Sequence, residues 1–168
     1  MKTLLLLRHA KAEVEAGRGD KARALTARGC RDAAIMGWYL RAQGNQPDRI
    51  LTSRARRARQ TAAIVAAAAD YRGPVRAKRG LYYAPPAALL RRVRRLPKKA
   101  ACVLLVGHNP DLEDLAALLA GPGGSAPYLP TAGLIRLDFD VRRWRDIRPG
   151  TGRCGELQMP AALIAKAG

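Results

Sequence analysis

The chain has 168 residues, 48% hydrophobic and 26% charged, a composition that belongs to globular sequences and excludes a disordered one. Lysine and arginine number 31 against 13 aspartate and glutamate, a formal charge of +18, so charge alone favours phosphate-bearing partners. No apolar run approaches the roughly 20 residues of a membrane span, and Arg8 cuts Leu4–Leu7 too short for a signal-peptide core; a cytoplasmic protein is expected.

In chain order, Lys2–Arg8 is continuously apolar before Arg8 and reads as a strand buried on both faces. Thr26 is a candidate cap for a helix running to about Gln43, with Cys30, Ala33, Ala34, Gly37 and Trp38 inward and Gly44 as its stop. Arg49–Thr52 is a second strand, followed from about Arg54 by a helix whose stripe is Ala58, Thr61, Ala62, Val65, Ala66 and Ala69. Val75–Lys78 is a weak strand, and Ala87–Leu96 a helix with Leu89, Leu90, Val93 and Leu96 inward. Cys102–Gly107 is the second fully apolar strand. Asn109 is then a natural N-cap and Pro110 a natural first helical residue, with Leu112, Leu115, Ala116 and Leu119 facing the core. The loop GPGGSAPYLPT separates this helix from a strand at Gly133–Phe139, which Trp144–Ile147 is expected to pair.

Strands alternating with helices over this length imply one α/β domain, a three-layer sandwich with a mostly parallel sheet, spanning 1–168. Residues 151–168 form a weakly assigned tail. Cys30, Cys102 and Cys154 are far apart and form no C-x-x-C pair, so neither a disulfide framework nor a zinc finger is indicated.

The chain has two histidines, and both stand at strand exits: His9 after LLLLR and His108 after VLLVG. Ligands of such sheets bind beyond the carboxyl ends of the strands. A lone histidine there is most simply a structural one, but two, with Arg8 beside the first, are less easily dismissed. The guanidinium of Arg8 follows a buried run and needs an anion, because an unpaired buried charge is costly. A phosphate fits its donor fork. In LTSRARRARQT, Ser53 precedes a helix whose first turn carries Arg54, Arg56 and Arg57, where free N–H groups already favour an anion. On the helical wheel Arg56 falls opposite the alanine stripe, whereas Arg57 or Arg54 can reach inward.

Two arginines and a histidine around an anion, beside a second histidine, describe phosphoryl transfer to an imidazole nucleophile. A site that only binds phosphate has the same composition. His108 with Asp111, Glu113 and Asp114 is a weaker metal alternative: acidic residues in a helix's first turn are ordinary dipole partners, and the spacing matches no zinc motif.

These blocks resemble the histidine phosphatase superfamily. LLLLRHAKAE is similar to its opening Arg-His signature, RALTARG to its R-P-L-T-x-x-G turn, SRARRARQTA to its S-x-x-x-R-A-x-Q-T-A block, and VLLVGHNPDLEDLA to its second-histidine block. Four blocks in this order in a short chain resemble the SixA-type phosphohistidine phosphatases, from Met1 to about Gly150. The resemblance implies a phosphoglycerate mutase-like fold, and His9 as the transiently phosphorylated nucleophile. Arg8, Arg57 and His108 would hold the phosphoryl oxygens, and Arg23 would add a further contact. The family block selects Arg57 over Arg54. Neither metal nor cofactor is implied.

The sequence departs from the family at Ala10, where glycine is usual, and at Arg54, where proline often follows the serine. Larger relatives carry an acidic proton donor near GLYYAPPAALL or beside the second histidine. Here Tyr82 and Tyr83 hold the first place and Asn109 the second, leaving Asp20 and Glu13 as the candidate donors. A phosphoramidate leaving group can already carry a proton on nitrogen, whereas an alkyl phosphate needs an acid. The expected activity is therefore phosphohistidine hydrolysis without metal, in an open, shallow, positive site, by a monomer whose partner is a phosphorylated protein. The alternatives are a small phosphorylated metabolite as substrate, or a basic nucleic-acid-binding module. Against the latter, the basic residues are spread along the chain and aromatic residues make up only 5%.

Overall fold

The computed structural model describes residues 1–15, 17–120 and 128–167. Its first strand, β1 (Lys2–Arg8), is followed by a single 3-10 turn at Asp20–Ala22, α1 (Ala27–Ala42), β2 (Arg49–Ser53), α2 (Arg56–Ala68) and β3 (Val75–Lys78). Then come α3 (Pro86–Arg94), β4 (Cys102–Gly107), α4 (Asp111–Ala120), β5 (Leu134–Phe139), a second 3-10 turn at Trp144–Asp146, β6 (Arg153–Cys154) and α5 (Pro160–Ala167). Six strands form one sheet in the order β3-β2-β4-β1-β5-β6. The first four are mutually parallel, whereas β5 and β6 run antiparallel to their neighbours.

The two continuously apolar segments occupy the centre, as strands covered on both faces must. Leu4 and Leu6 face one core with α3 and α4, and Leu5 and Leu7 the other with α1 and α2. All four are essentially inaccessible, each contributing about 1.5–3 kcal/mol of burial. The stripes of α2 and α4 are buried as expected.

Three details differ from the sequence expectation. Trp144–Ile147 is not a strand. Trp144 is a core anchor whose indole N–H donates to the Ala100 carbonyl at 2.8 Å, and β6 takes the place beside β5. On α1, Trp38 is exposed while Met36 and Leu40 are buried, so the inward stripe is rotated. Asn109 does not cap α4, and Pro110 is not its first residue. The peptide bond between them is cis, and the Asn109 amide donates to Glu113 Oε1 and the Leu129 carbonyl. Its Oδ1, the atom a cap would use, is buried without a partner.

The tail from 151 is integrated: β6 extends the sheet, and α5 packs on α1, with Leu163 against the core. Most of the loop at 121–131 lies outside the described residues. No helix among the described residues is long and apolar enough to cross a membrane.

Candidate active site

β1 and β4 lie side by side with Arg8 opposite Gly107, so the residues that follow, His9 and His108, leave the sheet together. The His9 amide donates to the Gly107 carbonyl at 3.0 Å, and the two imidazole centroids stand 5.1 Å apart. Arg57 enters from the first turn of α2. Its side chain is buried while Arg54 and Arg56 are exposed, which resolves the choice the helical wheel left open.

His9 Nδ1 lies 2.8 Å from the Ala10 carbonyl oxygen, which only accepts, so Nδ1 carries the proton and Nε2 a lone pair. Arg57 Nε donates to that lone pair at 3.1 Å. A third residue fixes the arrangement: the Thr61 hydroxyl donates to the Arg57 carbonyl at 2.7 Å and accepts from the Ala10 amide at 3.0 Å. Burial, with Arg57, Arg8 and Arg23 nearby, lowers the His9 pKa to about 4, so the ring is neutral at pH 7.

His108 is held the other way round. Arg57 Nη2 faces its Nδ1 at 3.4 Å, and since arginine only donates, the proton belongs on Nε2, which meets Ser53 Oγ at 2.6 Å. Burial, with His9 and Arg57 adding to it, lowers its pKa to about 3. Arg8 reaches the Leu129 carbonyl through Nη1 at 2.9 Å, while its buried Nε has no partner.

Asp20, from the 3-10 turn, closes the other side. Its Oδ2 accepts from Arg57 Nη2 at 2.8 Å and from the Tyr82 hydroxyl, and its Oδ1 accepts from Arg23 Nε at 2.9 Å. The Tyr82 hydroxyl and the two guanidinium groups hold the carboxyl well below the ordinary carboxylate range. Burial and the neighbouring Asp20 push the Tyr82 phenol up to about 12. The Tyr82 ring stands edge-on to His108 at 4.9 Å.

His9, Arg8, Arg57 and His108 thus converge, and Arg23 enters through Asp20. Glu13 is exposed, and only its backbone carbonyl takes part, accepting from Arg23 Nη1 at 3.0 Å. Two carboxylates of the metal alternative are engaged elsewhere, Asp111 accepting from the Ala84 amide and Glu113 from Asn109 and the Leu129 amide, and Asp114 is exposed. Ser53 and Tyr82 belong to the site, although the sequence marked Ser53 only as the residue before α2 and Tyr82 only as standing where relatives carry an acid, with no site role for either. The signal for the Ser53 contact is its place as the hydroxyl at the end of β2, the strand beside the one that His108 follows.

The RALTARG turn supports the site from behind. Thr26 Oγ1 accepts from the Gly29 amide at 3.0 Å, capping α1, and a Cβ on Gly29 would collide with the Lys11 carbonyl oxygen. Gln60 joins that turn to α2 by accepting from the Leu25 amide at 2.8 Å.

The histidine phosphatase superfamily (branch 1) model matches residues 4–82. An uncharacterized protein of Mycobacterium tuberculosis strain H37Rv, Rv1276c, is 34% identical over 152 residues, covering 86% of this chain and 93% of that one. A provisionally assigned phosphohistidine phosphatase SixA from Agrobacterium tumefaciens superposes with a TM-score of 0.78 at 30% identity, covering 95% of this chain and 98% of that one. The fold also matches the protein histidine phosphatase SixA complexed with tungstate, at a TM-score of 0.84 and 24% identity over 96% of this chain and 99% of that one. Two histidines at adjacent strand exits, joined by one buried arginine, sit on the fold these proteins share, and the chain belongs to the histidine phosphatase superfamily.

Proposed function

We propose that the chain hydrolyses phosphohistidine on proteins, through a phosphohistidine intermediate on its own His9. The observation that carries this reading is the fixed tautomer of His9: Nδ1–H is spent on the Ala10 carbonyl, leaving a neutral Nε2 lone pair against Arg57. In the first step that lone pair attacks phosphorus. The P–N bond of the substrate breaks, and its electron pair leaves on the substrate imidazole, which departs neutral because its other ring nitrogen already carries the proton. In the second, water attacks phospho-His9, the bond to Nε2 breaks, and inorganic phosphate departs with neutral His9 restored.

Arg57 faces both imidazoles and is the donor best placed to follow the phosphoryl oxygens. The unpartnered Nε of Arg8 is a second such donor. Their fixed charges offset what develops on those oxygens, and metal is not required for that part of the chemistry. The negative charge of an arriving phosphoryl group favours the protonated form of His108, so its Nδ1, which accepts from Arg57 in the free site, becomes a donor when the site is filled.

Asp20 favours phosphohistidine over an alkyl phosphate. It is the site's carboxylate, and three donors keep it ionised, so it is a poor acid for an alkoxide leaving group. The likeness to the provisionally assigned SixA structure at 30% identity points the same way. The test is phosphate release in EDTA from a phosphohistidine-bearing phosphotransfer protein and from an alkyl monophosphate. Release from the protein, with little from the ester, is expected. Efficient turnover of the ester alone would replace this substrate class with small phosphorylated metabolites.

A further inference from the structure

Two grooves flank the short edge strand β3, one on each face of the sheet. The first, of about 540 Å3, opens between α3 and the β2–β3 edge and carries Arg49, Lys78, Arg91, Arg92 and Arg95. Leu51 and Ala88 also line it. So does Tyr82, the residue that donates to Asp20 and stands against His108. The second, of about 600 Å3, lies on the α2 side and carries Lys21, Arg54, Arg56 and Arg59. Lys21 Nζ sits 5.0 Å from the Tyr82 ring centroid, so both grooves meet at the rim of the active site.

Neither groove is lined by an aspartate or glutamate. None of these cations forms an ion pair among the described residues, whereas Arg28, Arg72, Arg136 and Arg143 elsewhere all do. The ion pairs of this basic chain engage cations outside the two grooves. What remains is a band of uncompensated charge around one side of the site.

We propose that the two grooves form one docking face for an acidic surface of the phosphoprotein substrate, which rests on the phosphohistidine reading above. A small ligand fills one groove of this size and does not reach across the edge strand to the other. A protein interface of about 800 Å2 per partner spans both. Single-stranded nucleic acid requires successive stacking platforms, and the groove lining offers one exposed ring, Tyr83. Docking of this kind acts on encounter and on KM, leaving the chemical step on His9 untouched.

The test reverses charge in each groove, with Arg91→Glu/Arg95→Glu in the first and Arg56→Glu/Arg59→Glu in the second; all four side chains are exposed. Binding of an acidic phosphotransfer protein, unphosphorylated and fluorescently labelled, is measured by anisotropy at several salt concentrations. Turnover of that protein in its phosphohistidine form and of free phosphoramidate is measured alongside. Each double variant is expected to weaken binding on the order of tenfold, flatten its salt dependence and raise KM for the protein, with kcat and phosphoramidate turnover unchanged. Equal binding by parent and variants, or no binding by the parent, overturns the docking face. So does a loss of phosphoramidate turnover equal to that of the protein substrate, which would place these charges in the chemistry. Weakened binding of a single-stranded oligonucleotide with unchanged protein binding would reassign the face to nucleic acid. Normal protein binding without any turnover by the parent contradicts the phosphohistidine reading and leaves the docking face standing.

Discussion

The exits of β1 and β4 carry the same residue at the same register, yet the two imidazoles are held in opposite tautomers. His9 gives its Nδ1–H to a backbone carbonyl and turns an Nε2 lone pair toward Arg57. His108 gives its Nε2–H to Ser53 and turns Nδ1 toward the same guanidinium. Neither ring's identity decides this; its first hydrogen-bond partner does. A carbonyl that can only accept fixes one tautomer, and an arginine that can only donate fixes the other. The choice of neighbour thus sets which nitrogen of each ring, Nε2 of His9 or Nδ1 of His108, turns its lone pair to the shared arginine. On the proposed mechanism the first attacks phosphorus and the second must take up a proton before it can donate.

The comparison breaks most completely at His9. His9→Ala is expected to lower kcat by about four orders of magnitude or more, measured as phosphate release. His108→Ala is expected to lose less, on the order of 10² to 10³, because it removes a donor and leaves the nucleophile. Arg57→Ala is expected to cost about 10³ in kcat/KM, since one side chain serves both rings; Arg57→Lys, which keeps charge without the fork, recovers part of that. Equal losses for His9→Ala and His108→Ala would erase the distinction between them.

Smaller effects sharpen it. Ser53→Ala leaves the His108 Nε2–H buried without its partner and is expected to cost about 1–3 kcal/mol of stability, read from thermal unfolding. The pH dependence follows from the two lowered pKa values. Folded His9 and His108 take up protons near pH 4 and pH 3, whereas the unfolded chain does so near 6.5. The unfolded chain therefore binds more protons between those values, so stability present above pH 6.5 is lost as pH falls toward about 4 and then 3. NMR titration of the two imidazoles is expected to give midpoints near those values in the free enzyme. A midpoint near 6.5 for His9 would contradict its buried, arginine-flanked setting.

Much of this was legible in the residues because burial and periodicity are local signals. The four leucines of β1 announce a strand covered on both faces, and the alanine stripe of α2 announces its inward face. That stripe narrowed the inward arginine to two, and the family block selected Arg57. Partner choice was not legible. Asp20 and Tyr82 are 62 residues apart, and nothing in either segment shows that they share a hydrogen bond beside His108. Trp144 misled for a related reason. An aromatic, apolar segment suits a strand, but here one large side chain reaches the core from a 3-10 turn and β6 completes the sheet. At Asn109, a sequence suited to capping instead gives its amide to Glu113, four residues on, and to the distant Leu129 carbonyl.

The most direct test is to quench the enzyme within a turnover of a labelled phosphohistidine-bearing phosphotransfer protein and map the label. Alkali-stable, acid-labile phosphate on His9 of the parent, absent from His9→Ala and present in His108→Ala, is the expected result. Label on His108, or turnover by His9→Ala at the parent's rate, would contradict the assignment of His9 as nucleophile.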